Sequence, residues 1–456
     1  MVATKLSPSR EIAYDALALM LDKKETSTPK AIDTVTRAHN KKGGRIDPVM
    51  MQRVVTGALR WYSKLYWILQ NTAKRDLDAS SSEIRASLLG ATYQIYYMED
   101  IPDRTTVNES VEYLRKKGQA SATSFVNGIL RQISSRAEYF QKPDKNTKPV
   151  EYLSLQFAHP EWLVRRWCEF FRPEKLEVLL AANNQEPPIT VRANFKKTTI
   201  KDLQLLLLKT ERTHSDRRPL RLALHLKEYP RLGPDTLHGT GNYSIQDEAE
   251  QLITFLIDPK ENESIALSGP HILNTLLHLH EHMPDSTKTS LVEASGEVAT
   301  NAMSNLKRLG LGDTRHINAN FLDWQPEEKF DKLVIAPESS CCGIFRSKPE
   351  LKWLLTEAKF NGFVENQRAM LTHALKHLKP DGEIIYFVHS FDKGESEFHI
   401  TQLTKDVKNQ VEVVPIVARL PDYFKRYVTR THVLLLNPGN PDETDGLAAF
   451  ILRKKG

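Results

Sequence analysis

Apolar residues recur every three or four positions through the first third of the chain. Ile12, Ala13, Ala16, Leu17, Leu19 and Met20 follow Pro8 and Ser9 in this rhythm, which predicts an amphipathic helix opened by a proline. Asp47-Pro48 predicts a second start, and Val54, Val55, Ala58, Leu59, Tyr62, Leu65, Tyr66 and Leu69 carry it on as one long helix. Segments 84–97, 106–115 and 122–134 repeat the pattern, so residues 1–140 read as an all-α bundle. Residues 141–150, rich in Lys, Pro, Asp and Asn, read as a linker. Residues 151–245 combine helical stretches with an extended run, 189–194, that Pro187 and Pro188 shield from helix. That mixture predicts a small α+β domain.

The pattern changes again over 246–456. Short apolar runs at 264–267, 290–293, 332–336, 383–388, 411–417 and 432–436 are separated by helical stretches at 247–256, 272–282, 298–309, 352–378 and 395–408. Continuously apolar strands alternating with helices predict a mostly parallel sheet covered on both faces. Such sheets bind ligands beyond the C-terminal ends of their strands. The fold class is therefore multidomain, α followed by α/β.

With 40% hydrophobic and 26% charged residues, the composition excludes a disordered or collagen-like chain. No apolar run approaches the ~20 residues of a membrane span, so no membrane partner is expected. Asp15 and Asp22 interrupt the first apolar stretch, which argues against a signal peptide. Three cysteines, Cys168, Cys341 and Cys342, cannot build a disulfide framework or a zinc site, and a reducing, cytoplasmic setting is expected with no metal. The net charge of +6 is uneven: residues 1–150 carry 24 Lys+Arg against 16 Asp+Glu, while the remainder is slightly acidic. A basic segment of this kind attracts polyanions.

Ordered strings then give the chain a likeness. His159-Pro160-Glu161-Trp162-Leu163 precedes Asn183-Asn184-Gln185-Glu186-Pro187-Pro188, Val191-Arg192-Ala193-Asn194 and Tyr243-Ser244-Ile245-Gln246-Asp247-Glu248-Ala249. Asn305-Leu306-Lys307-Arg308-Leu309-Gly310, Arg346-Ser347-Lys348-Pro349-Glu350-Leu351-Lys352-Trp353 and Thr444-Asp445-Gly446 follow. Their order and spacing resemble the RsmB family (also called Fmu or Sun), the cytosine-C5 methyltransferases of small-subunit ribosomal RNA. Gly57-Ala58-Leu59-Arg60, Val107-Asn108-Glu109 and Phe125-Val126-Asn127-Gly128-Ile129-Leu130-Arg131 resemble that family's NusB-type RNA-binding domain. The resemblance implies a NusB-like bundle (1–140), a small RNA-binding linker domain (151–245) and a Rossmann-like methyltransferase domain (246–456).

The chemistry departs from the family. Its cofactor turn reads Cys-Ala-Ala-Pro-Gly-Gly-Lys-Thr, because glycine lets the backbone approach S-adenosylmethionine. Here the stretch is Ser268-Gly269-Pro270-His271-Ile272-Leu273-Asn274-Thr275. The paired glycines fall on His271 and Ile272, or on Ile272 and Leu273, so bulky side chains are expected to fill the cofactor space. Glu293 matches the acid that holds the ribose, and Asn320 stands where the family has an Asp near the adenine. The family's cysteine nucleophile adds to the base at C6 and a second cysteine assists elimination. His389 takes the nucleophile position; Ser339 or Glu338, depending on register, takes the second. Cys341 and Cys342 lie just beyond and are the remaining nucleophile candidates, with His389 as a base.

Arg53, Arg60 and Lys64 are spaced to share a helix face beside Trp61, Tyr62, Tyr66 and Trp67, and Arg115, Lys116 and Lys117 form a second basic cluster. Arg165-Arg166, Lys425, Arg426, Arg430 and Arg453-Lys454-Lys455 add further charge. His278 and His282 share a face without a third ligand and read, with His280, as a solvated helix end. The expectation is a monomeric RNA-binding protein, ribosomal RNA being the implied partner and DNA not. Its methyltransferase fold would have lost the cofactor loop and the cysteine pair. The alternatives are an active enzyme with a rearranged site, and a NusB-like interaction module in transcription or ribosome assembly.

Overall fold

A computed structural model describes residues 6–40, 46–135, 142–209, 214–215, 220, 222–226, 236–407 and 410–456. The expected boundary at 140, residue 141 of the linker and the helix end at 408 lie outside the described residues. The chain forms two compact units. One comprises Met1–Gln185 with Phe345–Leu354; the other comprises Glu186–Ile344 with Leu355–Gly456. The helices after residue 149 thus group with the bundle, and the small sheet groups with the C-terminal one.

The first unit is helical: α1 (Pro8–Leu21), α2 (Thr28–Asn40), α3 (Pro48–Arg60), α4 (Tyr62–Ala73), α5 (Ser82–Tyr97), α6 (Asp103–Lys116) and α7 (Thr123–Ser134), then α8 (Pro149–Phe157), α9 (Glu161–Cys168) and α10 (Pro173–Ala182). Ser7 and Asp47 cap α1 and α3 by accepting from first-turn amides, each just before a proline that has no amide to satisfy. The single helix expected over 48–69 is two, because Trp61 leaves helical geometry between α3 and α4. α2 escaped the sequence reading because it buries little beyond Ala31 and Val35. Inside the bundle Arg10 pairs with Glu109 and donates to the Gln94 Oε1 at 2.9 Å, while Gln94 Nε2 donates to Tyr14 OH at 3.1 Å. Such a paired, hydrogen-bonded network lets charge be buried.

Segment 345–354 packs with these helices. Lys352 is fully buried and donates to Arg60 O (2.7 Å), Ala158 O (2.9 Å) and Asn184 Oδ1 (2.8 Å). Trp353 Nε1 donates to Leu59 O at 2.6 Å.

The second unit holds two sheets. The smaller has strands β1 (Ile189–Ala193), β2 (His214–Ser215), β3 (Ala223–Leu226) and β4 (Tyr243–Ile245) in the order β2-β3-β1-β4, all antiparallel. The larger contains β5 (Ser264–Ser268), β6 (Lys288–Val292), β7 (Arg315–Ile317), β8 (Phe330–Ile335), β9 (Leu378–Val388), β10 (Val411–Val413), β11 (Leu434–Leu436) and β12 (Leu447–Lys454). Its order is β10-β12-β9-β8-β5-β6-β7, with β11 on β12; β5 to β9 run parallel, while β12 pairs antiparallel with β9, β10 and β11. The all-α bundle, the small α+β domain and the mostly parallel Rossmann-like sheet are the fold class expected. The parallel strands place the loops after β5, β6, β8 and β9 at one end, the end at which open α/β sheets bind ligands.

Candidate functional site

The loop after β5 starts with Gly269 at φ 121°, a conformation L side chains rarely adopt, and an added Cβ would strike the Ala336 carbonyl. The glycine therefore serves strand packing. The three bulky residues expected at the cofactor turn divide between the core and the neighbouring loop. Ile272 is 1% exposed and packs in the helix–sheet core with Leu276 and Leu267, and Leu273 packs against the same core. His271 is the residue that reaches outward: its Nε2 lies 3.4 Å from Cys341 Sγ, and its ring meets His389 edge-on at 5.2 Å. In the register anchored on Pro270, a family glycine is thus replaced by an imidazole that contacts the β8 loop.

That loop carries the candidate nucleophiles. Cys341 is 7% exposed, adopts a left-handed φ of 52°, and has Ser339 Oγ 3.5 Å from its sulfur. Cys342 faces the other way, its Sγ 3.2 Å from Ser390 Oγ; full burial, with Glu395 and Asp392 nearby, pushes its thiol up to about 12. A thiol so held is not a nucleophile at neutral pH. Beneath the loop Glu395 is buried and accepts from Ser340 N (2.8 Å), Ser340 Oγ and Gln367 Nε2 (2.9 Å). Burial raises its pKa. Gln367 also donates to Glu338 O at 2.8 Å, and its Oε1 lies 2.8 Å from His399 Nε2. No sequence pattern signals this network, since Glu395 sits in a polar run and Gln367 mid-helix. At the loop's end an added Cβ on Gly343 would strike the Gly446 carbonyl, which ties the loop to the Thr444-Asp445-Gly446 string.

The structure thus gathers His271, Ser339, Cys341 and His389. Glu293 follows β6, half-buried, with Oε1 accepting from Ser295 N at 2.8 Å. Asn320 is exposed and its Oδ1 accepts from Leu322 N at 3.0 Å, so it braces its own turn.

The histidine reading needs correction. His278 and His280 are buried in the helix after β5, with His278 Nδ1 2.9 Å from Thr254 Oγ1 and His280 Nε2 3.0 Å from Thr289 Oγ1; only His282 is exposed. Burial pushes His280 down to about 4. Glu281 is also buried, in an ion pair with the fully buried Arg192.

In the helical unit the basic faces divide. Arg60 is 5% exposed and donates to Arg346 O at 2.8 Å, so it does not line a surface with Arg53 and Lys64. Arg53 is hydrogen-bonded to Asp100, and Lys64 sits 5.2 Å over the Trp61 ring. Lys116 and Lys117 pair with Glu11 and Asp15 at 2.6 Å, and Arg115 pairs with Glu112. Arg165 pairs with Glu161 and Arg166 lies over Phe170. In the sheet unit Lys425 pairs with Asp422, Arg426 with Asp442 and Arg453 with Glu383, Lys454 donates to Leu375 O and Leu378 O, and Arg430 and Lys455 are exposed. Glu11, Asp15 and His39 could converge on a metal ion, but both carboxylates already carry a lysine. No helix among the described residues is long and apolar enough to cross a membrane.

Comparisons with known proteins follow the same division. The NusB family model matches residues 7–135, the ferredoxin-like domain of RsmF/B-type methyltransferases matches 159–231, and the 16S rRNA methyltransferase RsmB/F model matches 255–451. A probable ribosomal RNA small subunit methyltransferase B of Bacillus subtilis (strain 168) is 27% identical over 80% of this chain and 81% of its own length. The methyltransferase B of Klebsiella pneumoniae (strain 342) is 25% identical over 88% of each. The crystal structure of PH0851 superposes with TM-score 0.81 at 18% identity, covering 98% of this chain and 99% of that one. A methyltransferase homolog from Pyrococcus horikoshii has TM-score 0.56 at 20% identity, over 68% of this chain and 99% of that one. With three domain models matching in order and relatives aligned over about four fifths of each chain, the chain belongs to the RsmB/Fmu/Sun family of small-subunit rRNA methyltransferases, NusB-like N-terminal domain included.

Proposed function

We propose that this chain is an RNA-binding member of the family whose methyl-transfer site no longer carries the family's chemistry. The observation that carries the reading is His271. It stands at a position where the family presents bare backbone to S-adenosylmethionine, and its imidazole contacts Cys341 at 3.4 Å. On this reading the turn does not fit that cofactor. His389 at the nucleophile position has no thiol to add to cytosine C6, and Cys342 is buried with its proton held. RNA remains the partner class by family and by the basic N-terminal third. The test is incubation of the full chain with radiolabelled S-adenosylmethionine and unmodified small-subunit rRNA. RNA is bound, with affinity falling steeply as salt rises, and no label is transferred; transfer would overturn the reading.

One contact favours a second reading, an active enzyme with a rearranged site. Cys341 beside His271 has the composition of an activated thiol–imidazole pair. On that reading label is transferred, and Cys341→Ser abolishes the transfer while Cys342→Ser does not.

A further inference from the structure

We infer that α1 and α2 of the helical unit share a site for one divalent first-row cation of the Zn²⁺ type, held by Glu11, Asp15 and His39. Glu11 and Asp15 lie one turn apart on α1 and face His39 in the last turn of α2. One ligand atom from each lies within 4.8 Å of the other two. His39 Nε2 stands 3.3 Å from Glu11 Oε1 and 3.6 Å from Asp15 Oδ2. Those separations are long for hydrogen bonds. They match the spacing of neighbouring ligand atoms around a tetrahedral zinc ion, about 3.4 Å for metal–ligand bonds of about 2.0–2.2 Å.

The histidine tautomer points the same way. His39 Nδ1 is 3.0 Å from Val35 O, and a carbonyl only accepts, so Nδ1 carries a proton. In the neutral ring this turns the Nε2 lone pair toward two carboxylates. The side chain is 11% exposed, and Nε2 itself is buried without a hydrogen-bond partner. A backbone carbonyl fixing the far nitrogen is the usual support of a metal-bound histidine. The lysines hold the carboxylates from behind. Lys116 donates to Glu11 Oε2 at 2.6 Å, which leaves Oε1 toward His39. Lys117 and Tyr113 OH both hold Asp15 Oδ1, at 2.6 and 2.9 Å, and Lys117 also reaches Oδ2 at 2.8 Å. Two ammonium groups oppose a cation bound by charge alone, so a metal that bonds imidazole, such as Zn²⁺, is favoured over Mg²⁺ or Ca²⁺. A cleft of about 340 Å³, walled in part by Asp15, Asp22, Lys24, His39, Glu83 and Lys117, gives the ion an entry and room for water at its remaining position. α2 buries little beyond Ala31 and Val35, and a metal clip supplies the anchorage that its apolar face lacks.

The test titrates the full chain with Zn²⁺, followed by calorimetry and by hydrogen exchange of α2 peptides, and with Co²⁺, followed by visible absorption. One equivalent of Zn²⁺ binds, slows exchange in α2 and is not displaced by Mg²⁺. Bound Co²⁺ shows no thiolate charge-transfer band, which separates this site from binding at a cysteine. His39→Gln weakens binding by about 100-fold or more, since even the outer partners of a ligand are worth about 10- to 100-fold. Lys116→Met tightens it by about tenfold, the effect of removing one charge about 6 Å from a dication in water. A wild-type chain without saturable Zn²⁺ binding, or with the same affinity in His39→Gln, rejects the site and leaves His39 an ion-pair partner of Glu11. Lys116 is exposed, so Lys116→Met decides if His39→Gln fails to fold, and an affinity no tighter than wild type rejects the site. Neither rejection touches the RNA-binding reading.

Discussion

Lys352→Met tests what holds segment 345–354 in the helical unit. The ammonium is fully buried, and burial, with the Arg60 guanidinium adding, pushes its pKa well below the ordinary lysine range. Three acceptors at 2.7 to 2.9 Å nevertheless call for three N–H donors, which only the protonated amine has. Three oxygen dipoles aimed at one charge offset the lost hydration. Methionine fills a similar volume but leaves three buried acceptors unpaired, at about 1–3 kcal/mol each. Relief of the ammonium's desolvation returns part of that. The expected net loss is about 3–5 kcal/mol, which for a unit of this size lowers its melting temperature by about 6–20 °C. Two units need not unfold together, so the assay is calorimetry joined to hydrogen exchange read on peptides of α8 to α10. Exchange there accelerates while peptides of β5 and β9 hold. An unchanged melting profile, with α8 to α10 protected as before, would show that the Lys352 ammonium does not hold the segment.

Three further outcomes are expected. Glu250 in the helix Glu248–Ile257 is buried and pushed up to about 7, mainly by desolvation. Its raised pKa stabilises the fold below pH 4.5 and the benefit is lost as pH climbs through 7, a swing of about 3 kcal/mol. Glu250→Gln flattens that part of the stability–pH curve, and an unaltered curve contradicts the assignment. Gly269→Ala combines a forbidden φ with a backbone clash at Ala336 and costs the sheet unit about 3 kcal/mol by urea unfolding, whereas a loss under 1 kcal/mol would show that the turn relaxes. In thiol titration of the native chain, exposed Cys168 reacts first and Cys342 reacts only on unfolding; rapid native labelling of Cys342 would contradict its burial.

How much of this was legible in the chain varies with what each residue's neighbours do. The bundle and the parallel strands could be read because periodicity and apolar runs report burial directly. β12 was visible only as an apolar run, and its central antiparallel place depends on pairing with β9, which lies far away in sequence. β7 is three residues, two of them exposed, too short to leave a pattern. Trp61 looks like one more position on a helix face, yet its backbone, at φ -104° and ψ 14°, ends α3 there. Arg60, His278 and His280 were misplaced because polar identity suggests water, whereas each finds a buried hydrogen-bond partner. The departures from the family's motif could be counted letter by letter. That His271 contacts the β8 loop while Ile272 packs in the core required the direction of two side chains, which letters do not carry.

We propose that the loop after β5 no longer receives a methyl donor. Isothermal titration of the full chain with S-adenosylmethionine measures this directly. No saturable heat is predicted for the wild type. A one-to-one isotherm at micromolar affinity would contradict the account and reinstate an enzyme.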